Sequence, residues 1–249
     1  MRSVRTLVSR VRGARLRNSL TKRWNKSLGS AIGVPQGFPL TEIPIAVINL
    51  PQRQDRRREF KEEMKRLGVT HYKFVDGVDG KALFPKLPPH FAGAIGCNLS
   101  HSNAIESAQV QPGRCLMVCE DDVEFFADKD EIERLIGVFL ARPELDVLCL
   151  AGRVRGPKIP IGNGLFVVSG IVGQACYLVK PHMVEPLAGL WRHGVKYLKR
   201  SSLIGKNDHI WKRLQRKSAF FAFPVAPVAG QREGFSDIQG RLLPRQESS

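Results

Sequence analysis

A chain of 249 residues with 43% hydrophobic and 25% charged residues has the size and balance of one substantial α/β domain, with room for a small extra lobe or tail. No run approaches the ~20 apolar residues of a membrane-spanning helix. Five cysteines without framework spacing argue against a disulfide-stapled secreted domain and for a reducing compartment.

The formal charge of +16 is unevenly spread: residues 1–41 hold nine Lys or Arg and no acid. This head lacks the apolar core of a secretory signal. A disordered arm or a basic helix on an anionic lipid surface is favoured for residues 1–42; a transit peptide and a reading frame opened too early are the alternatives. The folded domain is expected over 43–240, and a loose tail over 241–249.

In chain order, Ile45-Ala-Val-Ile-Asn-Leu50 is a short apolar run suited to a strand buried on both faces. Asp55 to Leu67 follows as a helix with Phe60, Met64 and Leu67 inward, and Gly68 ends it as a left-handed cap. Tyr72–Val75 is a second strand, so strand-helix-strand opens a parallel sheet. Residues 81–92, with Pro85, Pro88 and Pro89, read as an irregular loop. Asn98 or Ser100 then caps a helix running to about Val110. Cys115–Cys119 is a strongly apolar strand that runs into Glu120-Asp121-Asp122, and Lys129–Ala141 is an amphipathic helix.

Asp146–Ala151 is another strand, and residues 152–164 read as a mobile loop over a site. Leu165–Ile171 and Ala175–Val179 pair around Gly173, and Pro181 starts a short helix. Asn207 or Asp208 caps Ile210–Leu214, and Phe220–Val225 closes the fold. The order is that of an open α/β fold with a mostly parallel sheet flanked by helices.

Three consecutive carboxylates at the end of an apolar strand repel one another where ligands bind in open α/β sheets. A divalent cation, Mn²⁺ or Mg²⁺, offsets that repulsion and bridges to ligand phosphates. Strand alternation puts Glu120 and Asp122 on one side and Asp121 on the other. The bland alternative is a solvated acidic cap.

Further segments resemble one family together: Val47–Leu50 with Arg53, Asp55 and Arg56; Val78-Asp79-Gly80; Ile95–His101; Val118–Val123; Ala175–Leu178; Asp208; and Gln231 with Ser236 and Ile238. Spread over roughly 43–240, they are similar to glycosyltransferase family 25, which includes bacterial lipooligosaccharide galactosyltransferases and animal procollagen galactosyltransferases. The resemblance implies a GT-A-like, Rossmann-like single domain. It also implies inverting transfer of a hexose, galactose from UDP-galactose foremost, to a saccharide hydroxyl.

Under that resemblance Glu120 and Asp122 hold the metal, and Asp121 touches ribose or donor sugar. Asp208 is the base on the acceptor hydroxyl, with a helix N-cap as its bland alternative. Asn49, Leu50, Arg53, Asp79, Gly80, Ser100, His101, Gln231 and Ser236 border the nucleotide sugar. Several have a structural alternative (strand end, Asp-Gly turn, half-buried histidine), while Gln231 and Ser236 rest on the resemblance alone. For Arg53, Arg56, Arg57 and Arg58 the alternative is a solvated helical face. Ser100 and His101, as a helix opening, suit an anionic diphosphate.

The acceptor expected is a lipopolysaccharide, lipooligosaccharide or other envelope glycan. The enzyme is expected in the cytoplasm, peripheral on the inner face of a bacterial inner membrane through residues 1–41. No nucleic-acid partner is expected, because the charge sits in the head and basic residues are not interleaved with aromatics. A metal-dependent nucleic-acid-binding protein or nuclease, and an inactive family member acting as a scaffold, are the competing readings.

Overall fold

The computed structural model describes residues 2–27, 35–108, 110–238 and 240–248; side chains of residues 2–13, 27 and 247 lie outside the described set, as do residues 28–34 of the basic head. Helix α1 (Arg2–Ser27) precedes β1 (Ile45–Asn49), α2 (Gln54–Arg66) and β2 (Lys73–Asp76). Next come α3 (Gly80–Leu83), α4 (Pro89–Glu106), β3 (Leu116–Glu120), β4 (Val123–Phe125) and α5 (Lys129–Leu140). The middle of the chain is β5 (Val147–Val154), β6 (Lys158–Gly162), β7 (Leu165–Val168), β8 (Ile171–Val179) and α6 (Val184–Leu198). Helices α7 (Asn207–Ile210) and α8 (Lys212–Lys217) lead to β9 (Phe221–Pro224) and β10 (Ala229–Gln231). The chain closes with β11 (Gly234–Ser236), β12 (Arg241–Leu243) and β13 (Gln246–Glu247).

Eight strands form one sheet in the order β2-β1-β3-β8-β5-β9-β7-β6. Strand β1 pairs in parallel with β2 and β3, and β5 with β9; β8 runs against β3 and β5, and β7 against β9 and β6. Six strands therefore share a direction and two oppose it, the mostly parallel α/β sheet expected of the sequence.

Period-two alternation sends Val47, Met117, Cys119 and Leu148 to one face, under α2 and α5. Ala46, Leu116, Val118 and Tyr177 go to the other face, under α4, α6 and α7. Burial on both faces is why these strands read as continuous apolar runs.

Several expectations are corrected. The stretch 81–92 is not one irregular loop: Asp79 caps α3 by accepting from the Lys81 and Ala82 amides, and α4 starts at Pro89. Proline at the first helical position costs no hydrogen bond, so Pro88-Pro89 opens a helix here. Residues 152–164 do not form a loop over a site. They complete β5 and form β6, which pairs with β7 at the sheet edge through a turn where Gly162, Asn163 and Gly164 all take positive φ. The short helix expected at Pro181 is a 3-10 turn leading into the 15-residue α6, whose Leu187, Trp191 and Leu198 are buried.

Both chain ends are better anchored than expected. Leu20 and Trp24 of α1 are buried at 3% exposure, Trp24 edge-on to Phe220, while Arg23 stacks on the Phe220 ring and donates to the Gln215 and Ala219 carbonyls. The stretch of α1 that carries Leu20, Arg23 and Trp24 is thus docked on the domain rather than a free arm. Of the tail expected to be loose over 241–249, residues 241–248 are held: β12 pairs with β11, β13 with β10, and buried Ser248 donates to the Leu150 carbonyl.

Candidate active site

The carboxyl ends of β1 and β3 lie side by side, with Ile48 in register with Glu120. Beyond them opens a cleft of about 1020 Å³, open solvent included. The α4 face supplies Cys97, Ser100 and His101; the loop after β2 supplies Val78, Asp79 and Gly80; and the β11–β12 hairpin supplies a wall with Ser236, Asp237 and Leu243.

All three carboxylates of the acidic triplet line this cleft. The strand ends at Glu120 and a turn carries Asp121 and Asp122, so strand alternation stops and Asp121 does not face away as expected. Asp121 accepts from Asn49 Nδ2 at 2.7 Å and from Arg56 Nη1 at 3.0 Å. Asp122 accepts from Gln231 Nε2 at 3.1 Å, and its Oδ2 lies 3.0 Å from the same Arg56 nitrogen. Gln231 Nε2 also reaches Glu120 Oε2 at 3.5 Å. Glu120 Oε1 lies 3.1 Å from His101 Nε2.

Desolvation, then the neighbouring Glu120 charge, pushes Asp122 up to about 7 from 3.8. Burial likewise raises Asp121, against the pull of Arg56. Asp122 Oδ1 is buried with no hydrogen-bond partner. An orphaned carboxylate oxygen costs free energy unless a ligand takes it up. An all-oxygen set from Glu120 and Asp122 suits a hard divalent cation, so the residues fit the expected metal.

Ten of the residues singled out from sequence meet here: Leu50, Asp79, Gly80, Ser100, His101, Glu120, Asp121, Asp122, Gln231 and Ser236. Ser100 and His101 lie mid-helix rather than at a helix opening, because α4 begins eleven residues before Ser100. Ser100 donates to the Gly96 carbonyl and accepts from the Val78 amide, so it fixes the loop. Gly80 is there for space: a Cβ would fall on the Ala92 carbonyl oxygen of α4.

Three residues stand outside the lining. Asn49 supports Asp121 from behind. Arg53 is tied to Asp55 at 2.9 Å and Asp237 at 2.5 Å, latching the hairpin loop to α2. Asp208 sits in the first turn of α7, next to Asn207, whose amide donates to Cys97 Sγ at 3.0 Å; Lys206, not Asn207 or Asp208, takes the N-cap position. Sequence reasoning missed Arg56, which the arginine run hid, and also Cys97 and Arg232. Cys97 and His101 are spaced i, i+4, and that spacing was the available signal.

Residues 42–139 match the profile of glycosyltransferase family 25, described as an LPS biosynthesis protein. Over those residues the chain is similar to glycosyltransferase family 25. A protein of Acanthamoeba polyphaga mimivirus that carries the name of a glycosyltransferase is 32% identical over 98 residues, which is 34% of this chain and 30% of the viral one. Procollagen galactosyltransferase 1-A of Xenopus laevis is 31% identical over 119 residues, 40% of this chain and 19% of that protein. The chain thus spans less than a third of the length of either relative. A solved glycosyltransferase involved in glycosylating the major capsid of PBCV-1 superposes with a TM-score of 0.45 at 10% identity, covering 76% of this chain and 92% of that one. The family 25 stretch holds β1, the Val-Asp-Gly loop, α4 and the acidic triplet, which together make the floor of the cleft.

Proposed function

We propose that this chain is a metal-dependent, inverting glycosyltransferase that moves a hexose, galactose from UDP-galactose foremost, to a hydroxyl of a saccharide acceptor. The observation that carries the reading is the convergence of Glu120, Asp121 and Asp122 in one cleft with Asp122 Oδ1 buried and unpartnered. The similarity of residues 42–139 to family 25 supports the reaction class. Its galactose rests on the name of the procollagen relative, and its envelope glycan on the description of the family.

Glu120 and Asp122 would hold Mn²⁺ or Mg²⁺, which supplies charge stabilisation to the departing diphosphate. Arg56, Arg232 and Lys81 in the lining add positive charge for phosphate oxygens. Asp121, held by Asn49, orients toward ribose or donor sugar. Asp208 is the assigned base on the acceptor hydroxyl; it lies outside the cleft lining, next to Asn207, whose amide donates to Cys97. The acceptor is proposed to be a lipid-linked envelope glycan. Among the described residues no helix is long and apolar enough to cross a membrane.

A thermal-shift panel of nucleotide sugars with and without Mn²⁺ tests this, because a ligand binding only the folded state raises Tm. UDP-galactose with Mn²⁺ is expected to raise it, and Asp208→Asn to keep that shift while losing transfer. No shift with any nucleotide sugar would favour the inactive scaffold instead.

A further inference from the structure

Cys97 and His101 lie one turn apart on α4, both in the cleft lining, and Glu120 meets them from the end of β3. The Cys97 sulfur, a His101 ring nitrogen and a Glu120 carboxylate oxygen all lie within 4.8 Å of one another. Among the described residues this is the one three-residue group so placed. A thiol, an imidazole and a carboxylate converging on one point form a mixed S/N/O donor set. Hard Mn²⁺ or Mg²⁺ prefers oxygen alone, whereas Zn²⁺ takes this mixture readily.

The surroundings orient these donors. His101 Nδ1 lies 3.2 Å from the Tyr177 hydroxyl, and Tyr177 is fully buried between Trp191 and Trp211. With the Nδ1 proton given to that hydroxyl, the Nε2 lone pair points at the Glu120 side, the arrangement that outer partners impose on metal-binding histidines. Asn207 Nδ2 donates to Cys97 Sγ at 3.0 Å, a contact that favours negative charge on sulfur. Burial otherwise holds the thiol pKa well above its usual range, and a bound cation displaces a thiol proton.

We propose that Cys97, His101 and Glu120 form a zinc site within the cleft, with its fourth position open to solvent or ligand. Tetrahedral bonds of ~2.3 Å to sulfur and ~2.0 Å to nitrogen set the donors about 3.5 Å apart, so modest side-chain rotation closes the set. On binding, the Cys97 S–H proton passes to water and a Zn–S bond forms, with no change of oxidation state. Glu120 belongs to both donor sets, so zinc here withdraws it from Asp122 and competes with an oxygen-bound cation.

The site shares Glu120 with the transfer reading but is tested without it. Chelator-stripped protein is titrated with Co²⁺, whose bond to a thiolate gives a charge-transfer absorption in the near ultraviolet. One equivalent is expected to produce that band, Zn²⁺ to abolish it, and Cys97→Ser and His101→Gln to lack it, while Asp122→Asn retains it. Absence of the band in the wild type, or its persistence in Cys97→Ser, overturns the site. Should a variant fail to fold, the wild type still decides: stoichiometric Zn²⁺ is expected to slow alkylation of Cys97 at least tenfold, and an unchanged rate refutes the proposal. If no nucleotide sugar binds, transferase activity falls and the cobalt result stands.

Discussion

Asp122→Asn separates what the acidic cleft does for stability from what it does for binding. In the metal-free protein the Asp122 carboxyl is raised to about 7 against an ordinary 3.8, mainly by desolvation and then by Glu120. The folded state therefore holds this proton between roughly pH 4 and pH 7 while the unfolded chain releases it, so stability falls as pH rises through that window. Asparagine copies the neutral acid in shape, and its side-chain oxygen still accepts from Gln231 and Arg56. The variant is accordingly expected to gain on the order of 0.5 kcal/mol at pH 4 and up to ~4 kcal/mol at pH 8, an upper bound because neighbouring groups relax. Urea melts in chelator at the two pH values read this directly. The same variant should lose the Mn²⁺-dependent thermal shift with UDP, giving a protein that is more stable and cannot bind. Equal gains at both pH values, or a loss at pH 8, would refute the electrostatic account; a retained Mn²⁺ response would refute the metal assignment.

Arg56→Met removes the cation between two buried aspartates and is expected to cost ~3–5 kcal/mol at pH 8, with partial rescue at pH 5, read by chemical denaturation. Trp24→Ala should lose ~3–5 kcal/mol and speed proteolysis within α1, because the indole is buried against Phe220; an unchanged melt would mean the helix does not dock. Gly80→Ala places a methyl against the α4 backbone and is expected to cost ~1–3 kcal/mol and to weaken nucleotide binding, measured by calorimetry beside the melt.

The elements legible in the sequence are those whose period matched their surroundings. Ile45–Ile48 and Leu116–Cys119 are apolar throughout because helices cover both faces of the sheet, and α2 shows Phe60 and Met64 on one stripe. The α6 helix was shortened in the reading because Pro186, Gly189 and Gly194 lower its propensity. Tertiary packing of Leu187, Trp191 and Leu198 overrides that. The β6–β7 hairpin was legible in principle, since Asn163-Gly164 is a strong two-residue hairpin signal, but glycine, proline and basic residues around it suggested a loop. In the site, the triplet announced itself by repulsion. Arg56 did not, because nothing in a row of three arginines distinguishes the one that turns inward; only the fold's placement of α2 against the Asp121-Asp122 turn does so.

That placement also limits what the family-matched stretch can do by itself. Residues 42–139 supply the floor of the cleft and its negative charge, but Gln231, which donates to both Glu120 and Asp122, lies far downstream. The hairpin that walls the cleft, β11–β12, is downstream as well, and its carbonyl at Phe235 accepts from both Arg53 and Arg56. Arg56 thus reaches the aspartates with one nitrogen and the wall with another, so floor charge and wall position are set by one side chain. A ligand cation that takes over the aspartates frees part of that guanidinium for phosphate. The wall and the charge balance of the floor therefore respond together to whatever enters, and a protein cut after residue 139 would keep the carboxylates and lose the groups that hold them in place.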